Sequence, residues 1–210
     1  MTSDRTYANS LKLLQKLPSL SPMQLILAST SKYRKELLKR LGLPFDCRRP
    51  KFDEEAHKNL HLSPVELAQY LAQKKAESLS KPGICVIGGD QLVAFEGHIL
   101  GKPHNFKNAF TMLNKMNGKT HELITAVYVT TGDKHWKIVD KTKLTMRKLH
   151  REQIETYLLA EEPFDCAGAY KIERRGITLF DKIETHDFTA IQGLPLIKLT
   201  TVLNEAGLVR

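Results

Sequence analysis

The sequence predicts a mixed α/β fold, a sheet flanked by helices, and three observations carry that expectation. Strand-like and helix-like segments alternate at both ends of the chain, and β-rich stretches joined by short glycine turns fill the middle. No internal repeat or low-complexity linker divides the 210 residues. Residues 1–22 read as an N-terminal extension and residues 23–210 as a single domain.

Within the extension, Ser10 to Leu17 reads as a short amphipathic helix or as an ordered turn or frayed end, and it carries no assigned function. Leu25-Ile26-Leu27-Ala28 is an apolar strand that opens into Ser29-Thr30-Ser31 and then the helical pattern Tyr33 to Leu41, stopped by Gly42. A second strand spans Phe45 to Arg49, followed by the acidic loop Asp53-Glu54-Glu55. Ser63-Pro64-Val65-Glu66 combines a capping box with proline at the first helical position, so a long helix runs to about Leu79. Its apolar stripe is Val65, Ala68, Ala72, Ala76 and Leu79, with Lys75 at the stripe's edge and Lys74 facing away.

Ile84 to Phe95 and His98 to Leu100 form a hairpin about Glu96-Gly97, and Gly88-Gly89 inside the first arm mark a bulge or a close approach. Asn105 caps a helix through Met116. Strands at about His121–Thr130 and Trp136–Met146 flank a turn at Gly132-Asp133. A helix over Arg151 to Ala160, a strand over Ile177 to Ile183 and a helix over Pro195 to Ala206, closed by Gly207, complete the chain.

The apolar share of 41% is that of an ordinary globular protein with a sizeable core. The net charge of +9 favours an anionic partner: nucleic acid, a membrane surface or a small phosphorylated ligand. Because the basic residues are scattered and the aromatics show no stacking signature, the small phosphate is preferred and no stable nucleic-acid complex is expected. Three cysteines without a CxxC pair point to a reducing compartment, and no stretch is apolar enough for a membrane span, so a cytoplasmic location is expected.

Ser29-Thr30-Ser31 followed by Arg34 suits a phosphate cradle, because hydroxyls, amides and a guanidinium would face an anion at a helix N-terminus. Taken alone, the same letters suit a capped amphipathic helix at least as well. Asp90 lies beside two glycines on an apolar strand, where a carboxylate is costly to bury without a cation, metal or hydrogen bond. It reads as a general base or as a turn aspartate. Lys102, between Gly101 and Pro103, is a fixed point charge or a solvated turn lysine, and Lys75 is a phosphate ligand or a snorkelling side chain. Asp53-Glu54-Glu55 could supply a carboxylate to magnesium, though such runs are more often solvated. Histidines lack zinc-site spacing, no GxxxxGK[ST] motif is present, and Cys166 reads as a packing residue.

In order, Leu-Ile-Leu-Ala-Ser29-Thr-Ser31 with Arg34, Phe-Asp53-Glu54, Leu-Ala-Gln-Lys-Lys75-Ala, Gly-Asp90-Gln91, Gly-Lys102-Pro103, Cys-Ala-Gly168-Ala-Tyr and Gly-Leu194-Pro195-Leu resemble the Maf family of nucleoside triphosphate pyrophosphatases from Leu25 to Leu203. The resemblance implies a curved mixed sheet flanked by helices with a central cleft, a divalent metal (Mg2+ or Mn2+) and a homodimer. It also implies Asp90 as the proton acceptor that activates water, with Glu54 and Asp90 at the metal. Ser29, Ser31, Arg34, Lys75 and Lys102 would bind the polyphosphate.

The chain departs from the commonest family pattern, carrying Lys32 and Tyr33 where proline and arginine are expected. An aromatic there, glutamine after the aspartate and glutamate downstream resemble the family's 7-methyl-GTP pyrophosphatases, and here they are Tyr33, Gln91 and Glu173. Guanine methylated on its imidazole ring is cationic, so an aromatic face attracts it and a carboxylate accepts its protons. The resemblance therefore implies hydrolysis of 7-methyl-GTP to 7-methyl-GMP and pyrophosphate. The alternatives are the same chemistry on dTTP, UTP or CTP, and a nonenzymatic role in septum formation.

Overall fold

The computed structural model describes residues 23–57 and 60–209, so the extension with its Ser10–Leu17 segment lies outside the described residues. The strands are β1 (Gln24–Ala28), β2 (Asp46–Arg48), β3 (Ile84–Phe95), β4 (His98–Leu100), β5 (Thr120–Thr130), β6 (His135–Met146) and β7 (Phe180–Glu184). The helices are α1 (Lys32–Lys39), α2 (Pro64–Glu77), α3 (Phe106–Met116), α4 (Arg151–Glu161), α5 (Phe188–Ile191) and α6 (Leu196–Glu205). One seven-stranded mixed sheet runs β2-β1-β3-β5-β6-β7, with β4 paired to the far end of β3.

β1 lies parallel to β2 and β3, whereas β3, β5, β6 and β7 are antiparallel in succession. A strand flanked on both edges and covered on both faces must be apolar throughout, which is why four of β1's five residues are buried. The decisive feature is unequal length. β1 ends where Ala28 pairs with Gly88, but β3 continues, so Gly89, Asp90 and Gln91 lack a neighbour on that edge. Ligands in α/β sheets gather at such carboxyl ends, where loops and helix N-termini replace the missing strand.

The capping box that starts α2 forms as expected: Glu66 N–H donates to Ser63 Oγ at 3.3 Å and Ser63 N–H donates to Glu66 Oε2 at 2.9 Å. α2 rides unusually low on β3, since a Cβ placed on Gly88 would lie 2.2 Å from the carbonyl oxygen of Ala72. Glycine at 88 and the small residues Ala68, Ala72 and Ala76 make that approach possible.

Alternate residues of β3 show how the other face is divided. Cys85 and Ile87 join an apolar cluster with Leu27, Leu37 and Leu199, whereas Val93 and Phe95 join a second with Leu113, Leu144 and Leu158. Gly89 and Gln91 fall between the two. This face therefore has two packed regions with a polar interruption at the strand positions where β1 has ended, and a third cluster lies under α2.

The segment read as a strand over Ile177–Ile183 is corrected by the structure: Arg175–Leu179 is a 3-10 turn and β7 starts at Phe180. β6 ends at Met146, whose partner is Phe180, so earlier residues have no ladder to join. They bond locally instead, with Gly176 N–H donating to the Lys171 carbonyl and Thr178 Oγ1 to the Arg175 carbonyl.

His121 on β5 is 2% exposed and meets the Tyr170 hydroxyl at 3.1 Å, with Phe180 beside it. Burial lowers its pKa from 6.5 to about 4, so the folded protein holds it neutral. Between these values the unfolded chain binds the proton more readily; the stabilisation is complete above pH 6.5 and lost as pH falls toward 4. The full effect corresponds to about 3 kcal/mol. His121→Phe is expected to flatten the fall in melting temperature between pH 6.5 and 4 relative to the unsubstituted protein. Identical slopes by calorimetry would show that His121 does not control it.

Candidate active site

Asp90 and Lys75 are each only 6% exposed, and Lys75 Nζ donates to Asp90 Oδ1 at 2.6 Å. The same ammonium lies 3.0 Å from Glu54 Oε2, so one lysine bridges two carboxylates. Lys75 thus turns toward the sheet rather than snorkelling, because the close packing of α2 at Gly88 brings its stem against β3. Burial raises the Asp90 pKa, opposed by the charges of Lys75 and Arg34 and by the Lys75 hydrogen bond. A carboxylate held this way is a better proton acceptor than a solvated aspartate.

The loop that carries Glu54 is fastened to α2. Lys51 N–H donates to Ser78 Oγ at 3.0 Å, His57 reaches the Asp53 carbonyl at 2.9 Å, and the rings of Phe52, His57 and Tyr70 cluster in tilted and edge-on contacts. Among the described residues no three His, Cys, Asp or Glu side chains gather to hold a metal by themselves. Asp90 Oδ2, however, is buried without a hydrogen-bond partner, and Glu54 stands across Lys75 from it. Magnesium commonly takes one or two carboxylates together with substrate phosphates and water, so this pair fits an ion that arrives with a polyphosphate.

Arg34 approaches β3 over Gly89 and donates from Nε to the Gly193 carbonyl at 3.2 Å. Hypothetical Cβ atoms on Gly89 and Gly193 would each lie 3.3 Å from that Nε, and Gly193 has φ +115°, a region suited to glycine. Burial lowers the guanidinium pKa, while Asp90 and Glu54 raise it. Ser31 caps α1 by accepting from Arg34 N–H at 3.4 Å, and buried Ser29 accepts from Ser31 N–H at 3.1 Å. The helix N-terminus therefore points its dipole toward the same end of β3.

Tyr33 follows a different set of neighbours. Its pKa is pushed up to about 12 by burial first, then by Cys166, Asp165 and Glu173, with a hydrogen bond to Cys166. Cys166 Sγ in turn donates to Asp165 Oδ1 at 3.4 Å. Tyr33 and Glu173, remote in sequence, thus share one electrostatic neighbourhood, and Cys166 belongs to it rather than only to packing.

Gln91 turns inward: the two hydrogens of its Nε2 are shared among Thr125 Oγ1 at 2.9 Å and the carbonyls of Ala190 and Ile191 at 2.9 and 3.0 Å. Lys102 is exposed and has no ion-pair partner among the described residues. Thr125 has no place in the sequence reading, and Gly193 enters it only within the motif Gly-Leu194-Pro195-Leu, without its role as acceptor for Arg34. The signal for Thr125 is a hydroxyl inside the apolar run Leu123 to Val129, the same cost of burial that singles out Asp90.

A buried carboxylate between two cations, beside a helix N-terminus, suits an anionic ligand. The chain belongs to the Maf family: the model for Maf-like proteins matches residues 24–206. A 7-methyl-GTP pyrophosphatase of Bdellovibrio bacteriovorus is 55% identical over 88% of this chain and 98% of its own. The 7-methyl-GTP pyrophosphatase of Colwellia psychrerythraea is 43% identical over 88% of this chain and 93% of its own. Among solved structures, a HAM1 protein from Coxiella burnetii aligns with TM-score 0.46 at 13% identity, covering 87% of this chain and 99% of that one.

Proposed function

We propose that the chain is a nucleoside triphosphate pyrophosphatase that hydrolyses 7-methyl-GTP to 7-methyl-GMP and pyrophosphate. The observation that carries the substrate is that Asp165 and Glu173 act electrostatically on Tyr33, which is one residue from Arg34. An aromatic face in the field of two carboxylates attracts a cationic base, and a carboxylate also accepts the guanine amide and amino protons. The names of the two bacterial relatives support the same substrate.

Asp90 takes a proton from the attacking water, and the new oxygen–phosphorus bond forms as pyrophosphate leaves. Ser29, Ser31, Arg34, Lys75 and Lys102 bind the polyphosphate and offset the charge that builds on the leaving group. Glu54 and Asp90 would hold Mg2+ or Mn2+, which when bound supplies further neutralisation of the phosphate oxygens. Gln91, with its amide N–H groups engaged, serves the base pocket through the α5 backbone it anchors.

Among the described residues no helix is long and apolar enough to cross a membrane. The proposal has the enzyme acting in the cytoplasm as a homodimer, which fractionation and light scattering test. Pyrophosphate release from a panel of normal and methylated nucleoside triphosphates, with magnesium or manganese, tests the activity. The highest kcat/KM is expected for 7-methyl-GTP. A preference for dTTP, UTP or CTP would move the chain to the alternative substrate class, and no turnover at all would favour the nonenzymatic role in septum formation.

Lys75→Ala and Lys102→Ala are both expected to lower kcat/KM for every base while the preference between bases survives, because the triphosphate is common to all. They separate on stability. Lys75→Ala leaves Asp90 buried without its bonded cation, a loss of about 3–5 kcal/mol before the carboxyl takes up a proton. Exposed Lys102 should leave the melting temperature nearly unchanged. Altered base selectivity in either variant would remove that lysine from the phosphate set.

A further inference from the structure

We infer that Thr125 is a positioning residue for the Arg34 guanidinium, acting through the Ala190 carbonyl and the backbone from 190 to 193. The inference deepens the proposed function and rests on Arg34 being a phosphate ligand.

Gln91 and Thr125 are direct cross-strand partners on β3 and β5, and Thr125 in turn lies opposite Asp140 on β6. They form a polar row on the sheet where α5 crosses it. Thr125 is 1% exposed, and its hydroxyl has both roles filled: it accepts from Gln91 Nε2 and donates to the Ala190 carbonyl, each at 2.9 Å. The Ala190 oxygen is a hub, receiving Thr125 Oγ1, Gln91 Nε2 and Gly193 N–H, all at 2.9 Å. That last bond closes the turn whose next group, the Gly193 carbonyl, accepts from Arg34 Nε. The path from Thr125 to Arg34 therefore consists of hydrogen bonds and one short turn of backbone.

The segment is anchored at its other side too. Asp187, 4% exposed, accepts from Thr189 N–H and from Ile197 N–H, and Thr189 Oγ1 accepts from Leu196 N–H. One carboxylate thus ties α5 to the start of α6. What this anchor leaves open is the height of the 190–193 turn above the sheet, and the Thr125 and Gln91 bonds set it. A four-residue helix has little stability of its own, so these side chains define where the Gly193 carbonyl stands. A shift of about 1 Å in a phosphate ligand is enough to cost up to a hundredfold in rate.

Thr125→Val keeps shape and removes both hydrogen bonds, Thr125→Ser restores them, and Arg34→Ala removes the group to be positioned. Steady-state kinetics of the full chain on 7-methyl-GTP, dTTP and UTP are compared across the single and double variants, with melting temperatures alongside. Thr125→Val is expected to lower kcat/KM about tenfold on every nucleotide, Thr125→Ser to recover most of it, and Thr125→Val to cost nothing further on top of Arg34→Ala. A Thr125→Val effect of the same size in both backgrounds, or none in either, would overturn the inference while leaving the role of Arg34 standing. A costless Arg34→Ala would bring down both. Should valine prevent folding, Thr125→Ala in the same cycle is decided by the same outcomes.

Discussion

Asp90→Asn is expected to lower turnover by about a hundredfold or more on every nucleotide while the protein still folds and still binds nucleotide. Asparagine keeps an oxygen that can accept from Lys75 Nζ, and Lys75 retains Glu54 as a counter-charge, so the bridge is weakened but not abolished. It also removes a charge from a site where burial works against it. The loss should therefore appear in kcat, with the melting temperature changed much less. Should turnover of the folded variant stay near normal, Asp90 is not the proton acceptor and the Lys75 bridge serves structure alone.

What sequence could reveal here followed the range of the interaction concerned. α2 is legible because its capping box, its first-turn proline and its alanines 68, 72 and 76 are local signals that form as read, although Leu67 and Leu71 are buried beside that stripe and Val65 and Leu79 only partly. β3 was legible from its apolar run, and Asp90 stood out because a carboxylate there has to be compensated. The compensation itself was not legible: Lys75 lay at the edge of the helical stripe, and only the close approach at Gly88 turns it inward. The start of β7 depends on where β6 ends, a fact about another strand, so β-forming residues at 177–179 were read as ladder. Gln91 and Thr125 bond to a turn about 65 to 100 residues further on, and no local pattern announces such partners.

The second large effect is expected in selectivity rather than in rate. Glu173→Gln should penalise 7-methyl-GTP relative to dTTP or UTP, because it keeps hydrogen-bonding groups but removes the charge that a methylated guanine, carrying a positive charge, would feel. Tyr33→Ala should do the same by removing the aromatic face, whereas Tyr33→Phe keeps the face and loses only the bond to Cys166, so its preference should persist. A charge-assisted contact is worth about 1.5–3 kcal/mol, which translates into roughly a tenfold to hundredfold change in the ratio of kcat/KM values. Glu173 is exposed, and water competes for its charge, so the lower end of that range is the expected value for Glu173→Gln. Asp165 lies in the same neighbourhood and would retain part of the field, so Asp165→Asn combined with Glu173→Gln should exceed either alone. Measuring the ratio between substrates separates recognition of the base from damage to the shared phosphate site. If Tyr33→Ala and Glu173→Gln instead reduce all nucleotides equally, the preference for a cationic base does not originate between α1 and the Asp165–Glu173 segment, and only the general pyrophosphatase chemistry at Asp90 remains assigned to this cleft.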